Sequence, residues 1–185
     1  DLVLTNVEYV GNWTHSDDDK TYTFRARAIN NGECKIEIAW GRLGDGRYGG
    51  WWRNQTTQQD SDWIRITDPD SLPKFEFSYD TLPPEVEITS PDVEMNTYTN
   101  STDIPFRFRF TEPVFNFTIS NIVLTPSLGG NFTNLTTTDN ITFNTNFTPY
   151  GGGNYKIEVF ANSYKDEAEN QNIETAMFEW TQVLQ

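Results

Sequence analysis

The residues of this chain best placed to do chemistry are asparagines. Eight Asn-x-Thr tripeptides occur, at Asn12, Asn54, Asn100, Asn116, Asn131, Asn134, Asn140 and Asn146. Each carries Thr at the third position and none has Pro in the middle. Chance placement of the Asn and Thr present would give about two or three such acceptors for N-linked glycans. Glycan transfer needs a secretory route and an exposed acceptor. The excess therefore points to a glycoprotein of the cell surface or the extracellular space. An Asn/Thr-rich β-protein would accumulate the same tripeptide unmodified, and the sequence leaves both readings open.

Carboxylates form the second set. Hard cations want clustered oxygen donors. Candidates are Asp80, Glu112, and Asp166 with Asn170 in one acidic turn. Calcium is the cofactor such donors admit, although no EF-hand-like loop is present. The run Asp17-Asp18-Asp19 is a further candidate, but charge runs are usually solvated faces.

The third set is the peptide Arg47-Tyr48-Gly49-Gly50-Trp51-Trp52-Arg53. Adjacent residues of a strand point to opposite faces, so Trp51 and Trp52 cannot both face one core. An outward Trp beside Arg is typical of an interface anchor. This predicts that the hairpin lies in a protein contact, with a neighbouring domain or an identical copy. Stacking on a sugar ring is the alternative, which would make the chain a carbohydrate-binding module.

Catalysis finds little support. The one histidine, His15, stands beside an acidic run in a loop, and the one cysteine, Cys34, has no His partner nearby in sequence. No nucleophile elbow, phosphate loop or zinc spacing occurs, so no enzyme is expected. Cys34 can form no disulfide within the chain, and a buried structural thiol is the favoured role. The formal net charge of −14 argues against nucleic acid, which needs a basic face. No stretch reaches the uninterrupted apolar length of a membrane span, so no insertion is expected within this segment. The chain opens on Asp1-Leu2-Val3-Leu4 without an initiator Met, which predicts a processed product or a segment of a longer protein.

Strands must position these residues. Tyr22, Phe24, Ala26 and Ala28 alternate with Thr23, Arg25 and Arg27. Ile36 and Ile38 alternate with Lys35 and Glu37, and Phe75, Phe77 and Tyr79 with Lys74, Glu76 and Ser78. Phe106, Phe108 and Phe110 alternate with Arg107 and Arg109, and Tyr155, Ile157 and Val159 with Lys156 and Glu158. A period of two puts one face in a core and the other in water. The chain reads as all-β and antiparallel. Pro83-Pro84 cannot donate to a sheet and stiffen the chain, so they mark a boundary between residues 1–82 and 83–185. Each side suits a sandwich of about seven short strands with Greek-key connections. On the strand predicted around Asn140, Asn144 and Asn146, these residues oppose Ile141, Phe143 and Phe147, so the acceptors point away from the core.

The second half resembles the bacterial Ig-like repeats of very long surface adhesins. The resemblance rests on Tyr79-Asp80-Thr81-Leu82-Pro83-Pro84 as an inter-repeat linker and on Phe110-Thr111-Glu112-Pro113-Val114, which is similar to a Ser-Glu-Pro-Val motif. Phe117-Thr118-Ile119-Ser120-Asn121-Ile122 would be the next strand, and Asp166-Glu167-Ala168-Glu169-Asn170 resembles an Asp-Ala-Ala-Gly-Asn turn. Glu169 stands where Gly is expected, and Asn121 where Asp is usual. The first half is only loosely similar. The resemblance implies two tandem Ig-like β-sandwich domains in an adhesin stalk, spacer or filament subunit. It also implies calcium at or near the joint between repeats.

Overall fold

The computed structural model describes residues 2–15, 22–38, 51–52, 64–65, 74–125 and 129–184. The chain divides into two compact units, Asp1–Asp80 and Thr81–Gln185. The division falls just ahead of Pro83-Pro84.

The first unit contains β1 (Leu2–Thr5), β2 (Val7–His15), β3 (Tyr22–Ala28), β4 (Gly32–Ile38), β5 (Trp51–Trp52), β6 (Ile64–Arg65) and β7 (Lys74–Tyr79). Among the described residues these pair as three small sheets: β1-β4-β7, β2-β3 and β5-β6. Asn6 separates β1 from β2 at a φ of 53°, a left-handed conformation that Asn tolerates better than most residues. Its side-chain amide donates to Asn30 O at 2.7 Å, and its Oδ1 accepts from Asn30 N–H at 3.0 Å. That pair ties the break to the β3–β4 hairpin. Cys34 is buried directly below, with Sγ 3.4 Å from Asn6 Nδ2. Of the tryptophan hairpin, Trp51 and Trp52 pair with Arg65 and Ile64 through the backbone. Their side chains, and all of Arg47, Tyr48 and Arg53, lie outside the described residues, as does Asn54.

The second unit is a two-layer sandwich. One sheet has the order β12-β14-β10-β8, with β13 also on β14. These strands are β8 (Val86–Thr89), β10 (Ile104–Phe110), β12 (Gly130–Phe132), β13 (Thr136–Thr137) and β14 (Thr142–Pro149). The other sheet, β11-β15-β16-β9, is built from β9 (Tyr98–Thr99), β11 (Val123–Thr125), β15 (Gly153–Val159) and β16 (Ala176–Gln182). The alternation of β10 is realised in full: Ile104, Phe106, Phe108 and Phe110 are buried, and Arg107 and Arg109 are exposed. Tyr155, Ile157, Val159, Phe178 and Trp180 face them from the second sheet. Tyr155 stacks on Trp180 with ring centres 5.1 Å apart and planes 13° from parallel. Burial of each large side chain contributes about 1.5–3 kcal/mol.

Two local expectations are corrected. Pairing is not wholly antiparallel, because β9 joins β16 in parallel. After β8 the chain transfers from one sheet to the other over residues 90–97, and Asn96 N–H bonds Glu179 O at 2.8 Å on arrival. The expected strand over residues 117–122 is a 3-10 turn at Ile119–Asn121. Asn121 Oδ1 accepts from Thr118 N–H at 2.7 Å and lies 3.0 Å from Thr118 Oγ1, and these local bonds outcompete a ladder. Phe117 and Ile122 turn inward from its two ends, leaving Phe115 and Ile119 exposed.

Gly130 shows how tightly the sandwich closes. A Cβ there would stand 2.1 Å from Cζ of Phe147, which is fully buried. Gly130→Ala is expected to lower the stability of the second unit by about 1–3 kcal/mol through overpacking. Gly151→Ala, where a Cβ meets nothing within 4 Å, is the matched control and should stay near wild type. Urea unfolding of both variants beside wild type, followed by circular dichroism, checks both.

Candidate functional site

The connection between β15 and β16 holds the chemistry the sequence pointed to. It spans residues 160–175 and is organised by Asn172, which is 1% exposed. Its Oδ1 accepts from the N–H groups of Ser163 and Tyr164 at 2.8 and 3.2 Å. Its Nδ2 donates to the carbonyls of Phe160 and Glu174, both at 2.9 Å. Every hydrogen-bonding capacity of the amide is used. Asn121 Nδ2 donates to Ser163 O at 3.0 Å, tying the 3-10 turn to the same loop. The usual Asp at that position would have no N–H for this bond. The departure seen in the sequence is thus a tether.

Asp166 follows on this frame and is 2% exposed. Asn170 holds its carboxylate at both ends: the backbone N–H donates to Oδ1 and Nδ2 to Oδ2, each at 2.9 Å. Glu169 closes the turn at a φ of 70°, the strained region that favours Gly. It pairs with Lys165 across the turn.

The structure brings Asp80, Glu112 and Asp166 together, with one carboxylate oxygen from each within 4.8 Å of the others. Glu112 is set by its neighbours. Thr111 bonds Glu85 through backbone and hydroxyl, and Val114 N–H donates to Asn140 O at 2.9 Å. Asp80 Oδ1 accepts from Asn31 Nδ2 at 3.2 Å. Three converging carboxylates, one of them buried, are the donor chemistry of a hard divalent cation. Asn170, also a candidate, here orients Asp166.

The glycan acceptors fall at the surface where their side chains are described. Asn100, Asn116, Asn131, Asn134 and Asn140 are exposed. Asn146 is half-buried, and its Nδ2 donates to Asp103 Oδ2 at 2.7 Å. Asn12 lies on β2 with its side chain outside the description. Asn140 sits in a turn bound by Asp139, whose Oδ1 accepts from Ile141 and Thr142 N–H at 2.9 and 2.8 Å. These backbone bonds, with Thr142 first, hold the Asp139 carboxyl below its ordinary pKa.

Two packed sheets, with a chain that passes from one to the other after its first strand and a buried aromatic centre, define an Ig-like β-sandwich. The chain belongs to the bacterial Ig-like domain family, whose model matches residues 80–181. Domains of this family typically occur in surface-exposed proteins and are usually non-catalytic. No curated protein matches the chain.

Sequence reasoning missed Asn172 and Asn31. Both stand among many other asparagines, and no local pattern marks the one that is buried or the one that meets Asp80. Asn172→Ala is expected to cost about 2–4 kcal/mol, because it strands two buried N–H and two carbonyl groups. Asn172→Asp keeps the two accepted bonds but sets a carboxylate oxygen against the carbonyls of Phe160 and Glu174, so it should not recover the loss. Chemical denaturation of the two variants beside wild type measures the difference.

Proposed function

We propose that this chain is a structural segment of a secreted, N-glycosylated cell-surface or extracellular protein, acting as an adhesin stalk, a spacer or a filament subunit. The first unit then serves as a second Ig-like sandwich in tandem. The observation that carries the reading is the self-sufficiency of the second unit: its aromatic side chains close between two sheets, within a family typical of surface proteins. A module that buries its own core can be strung in series, and its stability adds to that of its neighbours. Its partners are neighbouring Ig-like domains or identical copies.

Surface exposure of five acceptor asparagines supports glycosylation in the native source. Intact-mass measurement before and after glycosidase digestion should show glycan on at least half of the eight Asn-x-Thr sites. An unchanged mass would leave the tripeptides as a product of composition alone.

In the same reading Asp80, Glu112 and Asp166 hold calcium, and Asn170 keeps Asp166 aimed. Binding to the folded state alone raises stability by about 2.7 kcal/mol at a hundredfold excess over Kd. Calcium is expected to raise the unfolding midpoint of the wild type and to leave that of Asp166→Asn unmoved. Equal wild-type midpoints in calcium and in chelator would remove the cation from the account.

A further inference from the structure

Among the described residues, two strand edges of the second unit lie open on one side. Thr111 N–H donates to Glu85 O at 3.1 Å, and Arg109 and Arg107 stand opposite Glu87 and Thr89. Antiparallel pairs alternate between residues that exchange both backbone bonds and residues that exchange neither. The backbone N–H and C=O groups of Val86 and Ile88 therefore point away from β10, and β8 ends its sheet there. On β16, Asn96 N–H donates to Glu179 O and Thr181 N–H to Thr97 O. Odd-numbered residues of β16 thus turn their backbone groups away from β15. The chain entering β9 covers Glu179 and beyond, and stops short of Met177.

Between these edges runs a groove of about 540 Å³. Ile88, Val93 and Phe178 form its buried floor. Both methionines of the chain line it, Met95 at 44% and Met177 at 51% exposure. Unbranched thioether side chains adapt their shape to what lies on them. Glu87 and Glu94 also line the groove and are exposed. Neither forms an ion pair among the described residues. Five of the glycan acceptors lie elsewhere: Asn131 and Asn146 sit on β12 and β14, away from β8 in the strand order. Asn116, Asn134 and Asn140 line a different hollow.

We propose that this groove is a strand-docking site for an extended segment of a partner protein whose residues alternate apolar and basic. The segment adds to β8 by backbone bonds to Val86 and Ile88, the mode in which main-chain pairing gives affinity and alternate side chains give specificity. Its apolar side chains lie over Met95, Met177 and Val93. Its Lys or Arg residues face outward beside Glu87 and Glu94. The charge requirement follows from the rim and from the net charge of −14, which disfavour an acidic segment. The inference is independent of the stalk reading, since a spacer remains a spacer with its groove empty.

The chain's two methionines give the test its readout. Protein labelled with ¹³C at the methionine methyl groups is titrated with a synthetic peptide alternating Val and Lys, and with its Val/Glu counterpart. The Val/Lys peptide should shift both methyl signals saturably, and the Val/Glu peptide should leave them in place. Methylating the peptide's backbone nitrogens on its pairing edge should weaken binding about tenfold or more, as loss of main-chain pairing requires. The exposed double variant Glu87→Lys with Glu94→Lys should reverse the preference between the peptides. Unmoved methyl signals at millimolar peptide overturn the proposal. So does equal binding of both peptides, or binding indifferent to backbone methylation. Signals that shift with protein concentration alone would assign the groove to a second copy and likewise overturn it.

Discussion

The ring of Phe110 is the point through which the second unit is joined. It meets Phe117 at 5.0 Å, Phe143 at 5.4 Å and Tyr164 at 4.8 Å, each edge to face. Those partners come from the segment after β10, from β14 and from the loop before β16. Edge-to-face aromatic pairs add about 0.5–1.5 kcal/mol each beyond simple burial. Strict alternation along β10 delivers Phe110 to this place, and Thr111-Glu112-Pro113 then carries the chain out of the sheet directly above it. The position of Glu112 is thus a consequence of where the core ends.

Tyr164 transmits the same constraint to the acidic group. Its ring is fixed against Phe110 and Phe117, and its hydroxyl donates to Pro84 O at 3.4 Å. Burial, and after it the charge of Glu85, hold that hydroxyl protonated well above the ordinary tyrosine range. Two residues later comes Asp166. The loop that carries it is pinned by an aromatic ring on one side and by the saturated amide of Asn172 on the other. A carboxylate held in this way loses little further freedom when it meets a cation, which favours binding.

Much of this was legible from the chain. Alternation of Phe106, Phe108 and Phe110 with arginines reads directly, because a half-wet sheet writes its two faces into consecutive residues. The carboxylates Asp80, Glu112 and Asp166 were identifiable as donors, and the structure supplies their convergence. The strand expected at residues 117–122 failed for a definite reason. Phe117 and Ile119 share the parity of a strand, but Thr118 and Asn121 offer the backbone local partners that a periodicity argument does not count. Asn172 was illegible because burial of a polar side chain depends on four backbone groups that only the folded loop gathers. The parallel arrival of β9 depends on where the chain crosses between layers, which no single strand records.

Asparagine serves this chain in a second capacity. Six described non-glycine residues adopt positive φ: Asn6, Asn96, Asn116, Asn140, Asn162 and Glu169. All but Glu169 are asparagines, because Asn bears the left-handed conformation at lower cost than other side chains. Two of them, Asn116 and Asn140, are also acceptors in Asn-x-Thr tripeptides. Part of the excess of such tripeptides therefore has a conformational origin, and a census of tripeptides overstates the pressure for sugar. It follows that replacing Asn116 or Asn140 with Gln, the usual way to erase an acceptor, also strains a turn. A loss of stability in those variants would reflect the backbone as much as any glycan. Asn131, set on β12 outside this group, is the position where the two effects come apart.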